Sequence, residues 1–181
     1  KLPISSKTEK ILTKSLDEPI SAEDANYLIN IKGSDLYPLL ATADYLRQEI
    51  AGNNVTFINN CNINFTNICT VRCGFCAFGK DADDPEAYIL DDEAILKKAQ
   101  GAVDKGAHEF CVMGGVLPDA DVEYYEHLLQ LLKGEFPNIM IHGFSPTMIK
   151  DASVVSGISV EDAFERLKSA GLDTLPGTAA E

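Results

Sequence analysis

Three cysteines, Cys69, Cys73 and Cys76, are spaced Cys-x3-Cys-x2-Cys within one short stretch. The chain has five cysteines in 181 residues. An odd number with tight clustering points to metal rather than to a disulfide framework. Thiolates are soft ligands suited to iron–sulfur clusters and zinc. A cubane 4Fe–4S cluster with full cysteine ligation needs four thiolates, so three leave one iron open for another ligand. Structural zinc is the competing reading and wants four ligands, the fourth drawn from Cys61, Cys111 or His108. Zinc sites more often use two-by-two knuckles than a single loop of this spacing. Cys61 and Cys111 lie in apolar, strand-like settings and read as core residues. His108 and His127 read as structural or surface groups.

The surrounding elements must present that loop. The first third reads as helical, with starts at Ser21-Ala22-Glu23-Asp24 and at Ser34-Asp35. Leu36, Leu39, Leu40, Ala43, Leu46 and Ile50 recur at helical spacing, and Gly52 marks the stop. Val55–Ile58 and Asn62–Phe65 read as one extended segment running into the cysteine loop. A helix opens at Asp91 and ends at Gly106, followed by a strand at Phe110–Met113 that breaks at Gly114-Gly115. A helix from Tyr124 to Leu132 ends at Gly134, and Ile139–His142 forms a third strand. Helices start at Pro146 and at Ser159, the second ending at Gly171, and Leu172–Leu175 begins a fourth strand.

Strand and helix alternating with short connections predicts parallel α/β architecture. Residues 1–54 form an N-terminal helical extension, and residues 55–181 form the first part of a β/α barrel. The cysteine loop, Gly114-Gly115, Phe144-Ser145-Pro146 and Pro176-Gly177-Thr178 all follow strand ends. In a TIM-type barrel those ends face one mouth, where chemistry sits. Four strands cannot close a barrel. The expectation is therefore the N-terminal part of a longer protein, or a truncated gene product, inactive alone.

Composition sets outer bounds. The formal net charge is −13, with 45% hydrophobic and 24% charged residues. An acidic surface repels phosphate backbones and argues against nucleic acid as a partner. No apolar run has a bilayer-spanning length of roughly 20 residues, so no membrane association is expected. A cytoplasmic location is the default expectation.

The cysteine spacing, with Phe75 directly before the last cysteine and Gly114-Gly115 one β/α unit later, resembles the radical S-adenosylmethionine superfamily. Asn62–Cys69 followed by Cys76-Ala77-Phe78 resembles its deazaflavin and menaquinone biosynthesis group. Ile141-His142-Gly143-Phe144-Ser145-Pro146 and Leu175-Pro176-Gly177-Thr178-Ala179-Ala180-Glu181 resemble the tyrosine-using subunit of deazaflavin (FO) synthase. The likeness spans about Ser21 to Glu181. Met113 and Cys61 depart from the family, which often has glutamine and a basic residue there.

The resemblance implies a 4Fe–4S cluster on Cys69, Cys73 and Cys76, with S-adenosylmethionine on the open iron. Phe75, Phe78, Gly114 and Gly115 would line that cofactor, and Glu181 would hydrogen-bond its ribose or cap a following helix. His142 would contact substrate or relay a proton, the alternative being a satisfied barrel-interior histidine. Ser145 would be catalytic or a plain helix start. The implied reaction is radical cleavage of the Cα–Cβ bond of L-tyrosine and transfer of its 4-hydroxybenzyl group to 5-amino-6-(D-ribitylamino)uracil, in deazaflavin coenzyme (F-420) biosynthesis. An electron donor such as ferredoxin or flavodoxin, and the other deazaflavin synthase subunit, are the implied partners. A futalosine-pathway radical enzyme and an inactive metal-binding scaffold are the alternatives.

Overall fold

The structure is a computed structural model and describes residues 4–71 and 73–177. The chain divides into two compact units, Lys1–Thr56 and Phe57–Glu181.

The first unit is helical: α1 (Ser6–Ser15), α2 (Ala22–Ile29) and, after a 3-10 turn at Gly33–Asp35, α3 (Leu36–Ala51). Helices α1 and α2 begin at serine caps, where Ser5 and Ser21 accept the Thr8 and Asp24 amides. Helix α1 is absent from the sequence expectation, which began at Ser21. A small core joins Ile11, Leu12 and Leu28. Buried Thr8 donates to Asp35 Oδ2 at 2.7 Å, and the Ser5 amide donates to Asp35 Oδ1 at 2.8 Å. The Ser5 side chain and amide, then Thr8, lower the Asp35 carboxyl from its ordinary value. The apolar stripe of α3 is less enclosed than its spacing predicts, because Leu36, Leu40 and Ile50 remain exposed.

The second unit is α/β. Strands β1 (Asn60–Asn64), β2 (Glu109–Met113) and β3 (Met140–Gly143) form a parallel sheet in that order. Helix α4 (Asp92–Val103) connects β1 to β2, and α5 (Val122–Glu135) connects β2 to β3. Parallel neighbours require such crossovers. Helices α6 (Pro146–Ser156) and α7 (Val160–Ala170) follow. Asp91, Asp121, Ser145 and Ser159 each accept the amide three residues on, which fixes all four helix starts. Among the described residues, no helix is long and apolar enough to cross a membrane.

Three local expectations are corrected. Residues 53–59 have no regular structure, so β1 starts five residues later than Val55. Gly134 lies inside α5, which runs on to Glu135 just before Pro137. The fourth strand is reduced to a single parallel bridge between His142 and Thr174. A side chain substitutes for part of that ladder: the Ile141 amide donates to Asp173 Oδ2 at 2.8 Å, while the Ile141 carbonyl accepts the Asp173 and Thr174 amides.

Asp173 Oδ2 also pairs with Lys133 Nζ at 2.8 Å. The stem of Lys133 lies across Gly171, where a Cβ would come within 2.6 Å of Lys133 Cγ and where φ is +116°. Glycine is thus required there both for the turn that ends α7 and for the lysine. Partial burial pushes the Asp173 carboxyl up, but Lys133 and the Ile141 amide outweigh it and leave it below its ordinary value. The linked stability is complete above about pH 4, the unfolded carboxylate value, and is lost as pH falls through the depressed folded value. The gap in urea midpoint between wild type and Asp173→Asn should accordingly be largest near neutrality and shrink as pH drops below about 4.

Pleating gives the sheet two unlike faces. Ile63, Phe110, Val112 and Ile141 are buried against the helices in one core with Ile95, Leu129, Leu132, Ile149 and Leu167. The opposite face carries Asn62, Cys111 and His142 in register, one row across three strands. In a β/α barrel the face away from the helices is the interior.

Candidate active site

Phe65 leads from β1 into the cysteine loop and anchors it from below. It is fully buried, with ring centroids 6.1 Å from Tyr125 and 6.2 Å from Phe144. Tyr125 and Phe144 are closer still, at 4.7 Å. Burial, with Tyr124, Asp151 and Cys69 nearby, pushes the Tyr125 hydroxyl well above its ordinary value, so it stays neutral. Phe144 has φ +61°, a left-handed conformation that costs a non-glycine residue roughly 1–2 kcal/mol. Its fully buried ring and its amide bond to Val112 O, 3.0 Å, hold it there and turn β3 into α6.

The cysteine loop leaves the end of β1 and is closed at its base. The Cys69 amide donates to Lys80 O at 3.1 Å, and the Thr70 amide donates to Val116 O at 3.0 Å. At the tip the Cys76 amide donates to Cys73 O at 3.0 Å, a tight turn that keeps the last two cysteines together. All three thiols are free; Cys69 and Cys73 are half-buried and Cys76 is exposed. Among the described residues, no group of three or more His, Cys, Asp or Glu side chains converges to hold a metal ion. The donor set nonetheless fits a cluster: three soft thiolates on one loop, with no competing disulfide partner. Phe75 is 80% exposed and Phe78 is exposed on the same loop.

Gly114 and Gly115 end β2 directly beside this loop. The Gly115 amide donates to Thr66 O at 3.0 Å. A Cβ on Gly115 would lie 2.0 Å from Ile68 O and 2.8 Å from Cys69 Cβ. A Cβ on Gly114 would lie 3.0 Å from the Phe65 ring and from Thr66 O. The glycine pair therefore admits the backbone of the cysteine loop itself, a contact that sequence alone did not reveal.

His142 stands half-exposed on β3, and its Nδ1 shares a 2.7 Å hydrogen bond with Thr174 Oγ1. Asn62, Cys111 and Thr174 join it in one row. Cys111 was expected in the core, but the register puts it on the opposite face, where it is half-buried; burial, then Glu109, pushes its thiol up. The alternation Asn60-x-Asn62-x-Asn64 was the available signal for that polar face. Cys61 packs against the core as expected. Ser145 is fully buried and its Oγ accepts the Met148 amide, so its place is the cap of α6. His127 lies at the surface 3.0 Å from Asp92, and His108 is exposed. Glu181 lies outside the described residues.

A family profile described as the radical SAM superfamily matches residues 63–179. The chain belongs to the radical SAM superfamily. Membership implies a 4Fe–4S cluster and S-adenosylmethionine as the group's cofactors. Among curated relatives, a protein of Methanothermobacter thermautotrophicus is 47% identical over 178 residues, covering 98% of this chain and 48% of that protein. One from Methanopyrus kandleri is 46% identical, covering 81% and 40%, and one from a Nostoc species is 42% identical, covering 92% and 44%. All three are named 5-amino-6-(D-ribitylamino)uracil–L-tyrosine 4-hydroxyphenyl transferase. The chain spans about half the length of these relatives. Two solved structures share the fold. The FeFe-hydrogenase maturase HydG from Carboxydothermus hydrogenoformans superposes with a TM-score of 0.64 at 18% identity, over 93% of this chain and 47% of that one. Methylornithine synthase (PylB) superposes with a TM-score of 0.58 at 20% identity, over 93% and 57%.

Proposed function

We propose that this radical SAM protein acts as a transferase joining the 4-hydroxybenzyl group of L-tyrosine to 5-amino-6-(D-ribitylamino)uracil. The observation that carries the reading is the 47% identity, across 98% of the chain, to a relative named for that reaction. The relatives' names favour it over the futalosine-pathway alternative. Superfamily membership favours an enzyme over an inactive scaffold.

Cys69, Cys73 and Cys76 would hold the cluster. Gly114, Gly115, Phe75, Phe78 and Glu181 would bind S-adenosylmethionine. When bound, the pair supplies a hydrogen-abstracting radical; the chain's own share is to orient substrate and exclude water. The row Asn62, Cys111, His142 and Thr174 offers donors and acceptors on the face that a barrel turns inward. His142, steadied by Thr174, is the residue placed to hold a polar group of the substrate or to move a proton. Ser145 supports this arrangement through its cap. A one-electron donor of the ferredoxin or flavodoxin kind is required for turnover, and the other deazaflavin synthase subunit is a candidate partner. Reduced thiols suit a cytoplasmic setting.

The test is anaerobic iron–sulfide reconstitution of the full-length protein, then incubation with reductant, S-adenosylmethionine, tyrosine and the ribitylaminouracil, with mass spectrometry for the coupled product. Absence of that product from a protein with a full cluster would sink the reading. His142→Gln should lower kcat about a hundredfold, the low end of a lost acid–base group, with an unchanged cluster spectrum. Turnover equal to wild type would remove His142 from the mechanism.

A further inference from the structure

Behind the cysteine loop lies a polar clasp that ligand spacing does not reveal. Asn67 is only 6% exposed, although it is a polar residue in the loop that follows β1. Its side-chain Nδ2 donates to Glu86 O at 2.9 Å, and its Oδ1 accepts the Tyr88 amide at 2.8 Å. Its backbone bonds in the same direction: the amide donates to Tyr88 O at 3.4 Å, and the carbonyl accepts the Lys80 amide at 2.8 Å. All four bonds reach the segment that returns from the cysteine loop. Fully buried Thr66 adds a fifth: its Oγ1 donates to Tyr88 O at 2.7 Å and accepts the Ile68 amide at 3.1 Å. The returning segment is braced outside by Lys80, whose ammonium meets Glu86 at 2.6 Å and Asp84 at 3.6 Å.

The result is a loop whose two ends are tied together at Asn67. Residue 69 leaves and residue 80 returns within one hydrogen bond of each other, and Gly79 lies so close that a Cβ would be 3.2 Å from Cys69 Cβ. A flexible loop must lose conformational freedom to bring three thiolates onto one cluster. A base closed beforehand removes part of that loss. Groups one shell behind the ligands commonly set metal affinity in this way.

We propose that Asn67 is a positioning residue for the cluster loop: through its amide side chain it ties the returning segment 80–88 to the chain just past β1 and so closes the base of the loop whose three cysteines must come together around iron. This rests on the cluster reading above. The sequence motif contains no sign of it, because the partners of the amide are backbone atoms about twenty residues away.

The test compares Asn67→Ala with wild type and with Ser153→Ala, which removes a buried hydroxyl bonded to Lys150 O on α6. In the metal-free chain, Asn67→Ala should speed hydrogen exchange at the Cys69, Lys80 and Tyr88 amides and leave the Ile63 and Val112 amides protected. After reconstitution, chelator should bleach the iron–sulfur absorbance of Asn67→Ala about ten to a hundred times faster, the range for loss of a group behind the ligands. Ser153→Ala should match wild type in both readings. Should Asn67→Ala not fold, Asn67→Asp keeps the acceptor for the Tyr88 amide, loses the donor to Glu86, and carries the same test. Wild-type bleaching rates in the Asn67 variant would overturn the proposal. A wild-type chain that takes up no iron would instead remove the cluster reading, and the exchange comparison would then decide the clasp by itself.

Discussion

Cys73→Ala should lose nearly all bound iron, to about a tenth of wild type or less, because two remaining thiolates cannot hold a cubane that three barely complete. The visible iron–sulfur absorbance should vanish with it. Cys69→Ala and Cys76→Ala should behave alike. Cys61→Ala and Cys111→Ala should keep their iron, since one packs against the core and the other sits in the row with His142. With His108→Ala added, the pattern separates cluster from zinc: a four-ligand zinc site recruiting Cys61, Cys111 or His108 would lose metal in one of those three variants as well. Iron content and spectrum of Cys73→Ala equal to wild type would refute the ligand assignment. Stability should change little, because among the described residues the tip of the loop contributes none to the core.

The second large effect is expected at Gly115. A methyl group there would stand 2.0 Å from Ile68 O, 2.5 Å from the Ile68 carbonyl carbon and 2.8 Å from Cys69 Cβ. None of these atoms lies at the end of a flexible side chain, so no rotamer change can make room. Overpacking of this kind costs typically 1–3 kcal/mol and sometimes more; a value at or above about 3 kcal/mol is expected. Urea unfolding of Gly115→Ala measures it, and iron uptake should fall in parallel because the residue displaced is the first ligand's neighbour. Gly114→Ala should be milder, with its nearest contacts at 3.0 Å and one of them a ring edge. Equal destabilisation by the two variants would mean that the Ile68 backbone moves freely, and would remove the packing role assigned to Gly115.

How much was legible beforehand depended on the range of the interactions. Capping is local, so Ser21, Asp91, Pro146 and Ser159 marked their helices correctly. The Cys-x3-Cys-x2-Cys motif is equally local, and the alternation of strands and helices sufficed for a parallel β/α arrangement. Helix α1 escaped because the segment that Ser5 caps carries only two apolar residues, Ile11 and Leu12, and its order comes from their packing with Leu28 and from Thr8 reaching Asp35. The end of α5 was misplaced because a single glycine near a helix end is tolerated when the following proline sets the true stop.

The sequence by itself determined the order of the elements and the placement of the cysteine loop and the glycine pair at strand ends. Only the tertiary structure decided which residues share a face or a contact. Strand register moved Cys111 from the core into line with Asn62 and His142. Asp173 and Thr174 replaced a fourth strand with a carboxylate bond and one bridge. Gly115 and Asn67 acquired roles through Ile68, Glu86 and Tyr88. Each of these depends on parts of the chain distant in sequence meeting at hydrogen-bond or van der Waals distance. Spacing along a chain records the geometry of one element; it does not record which backbone atom will close over it.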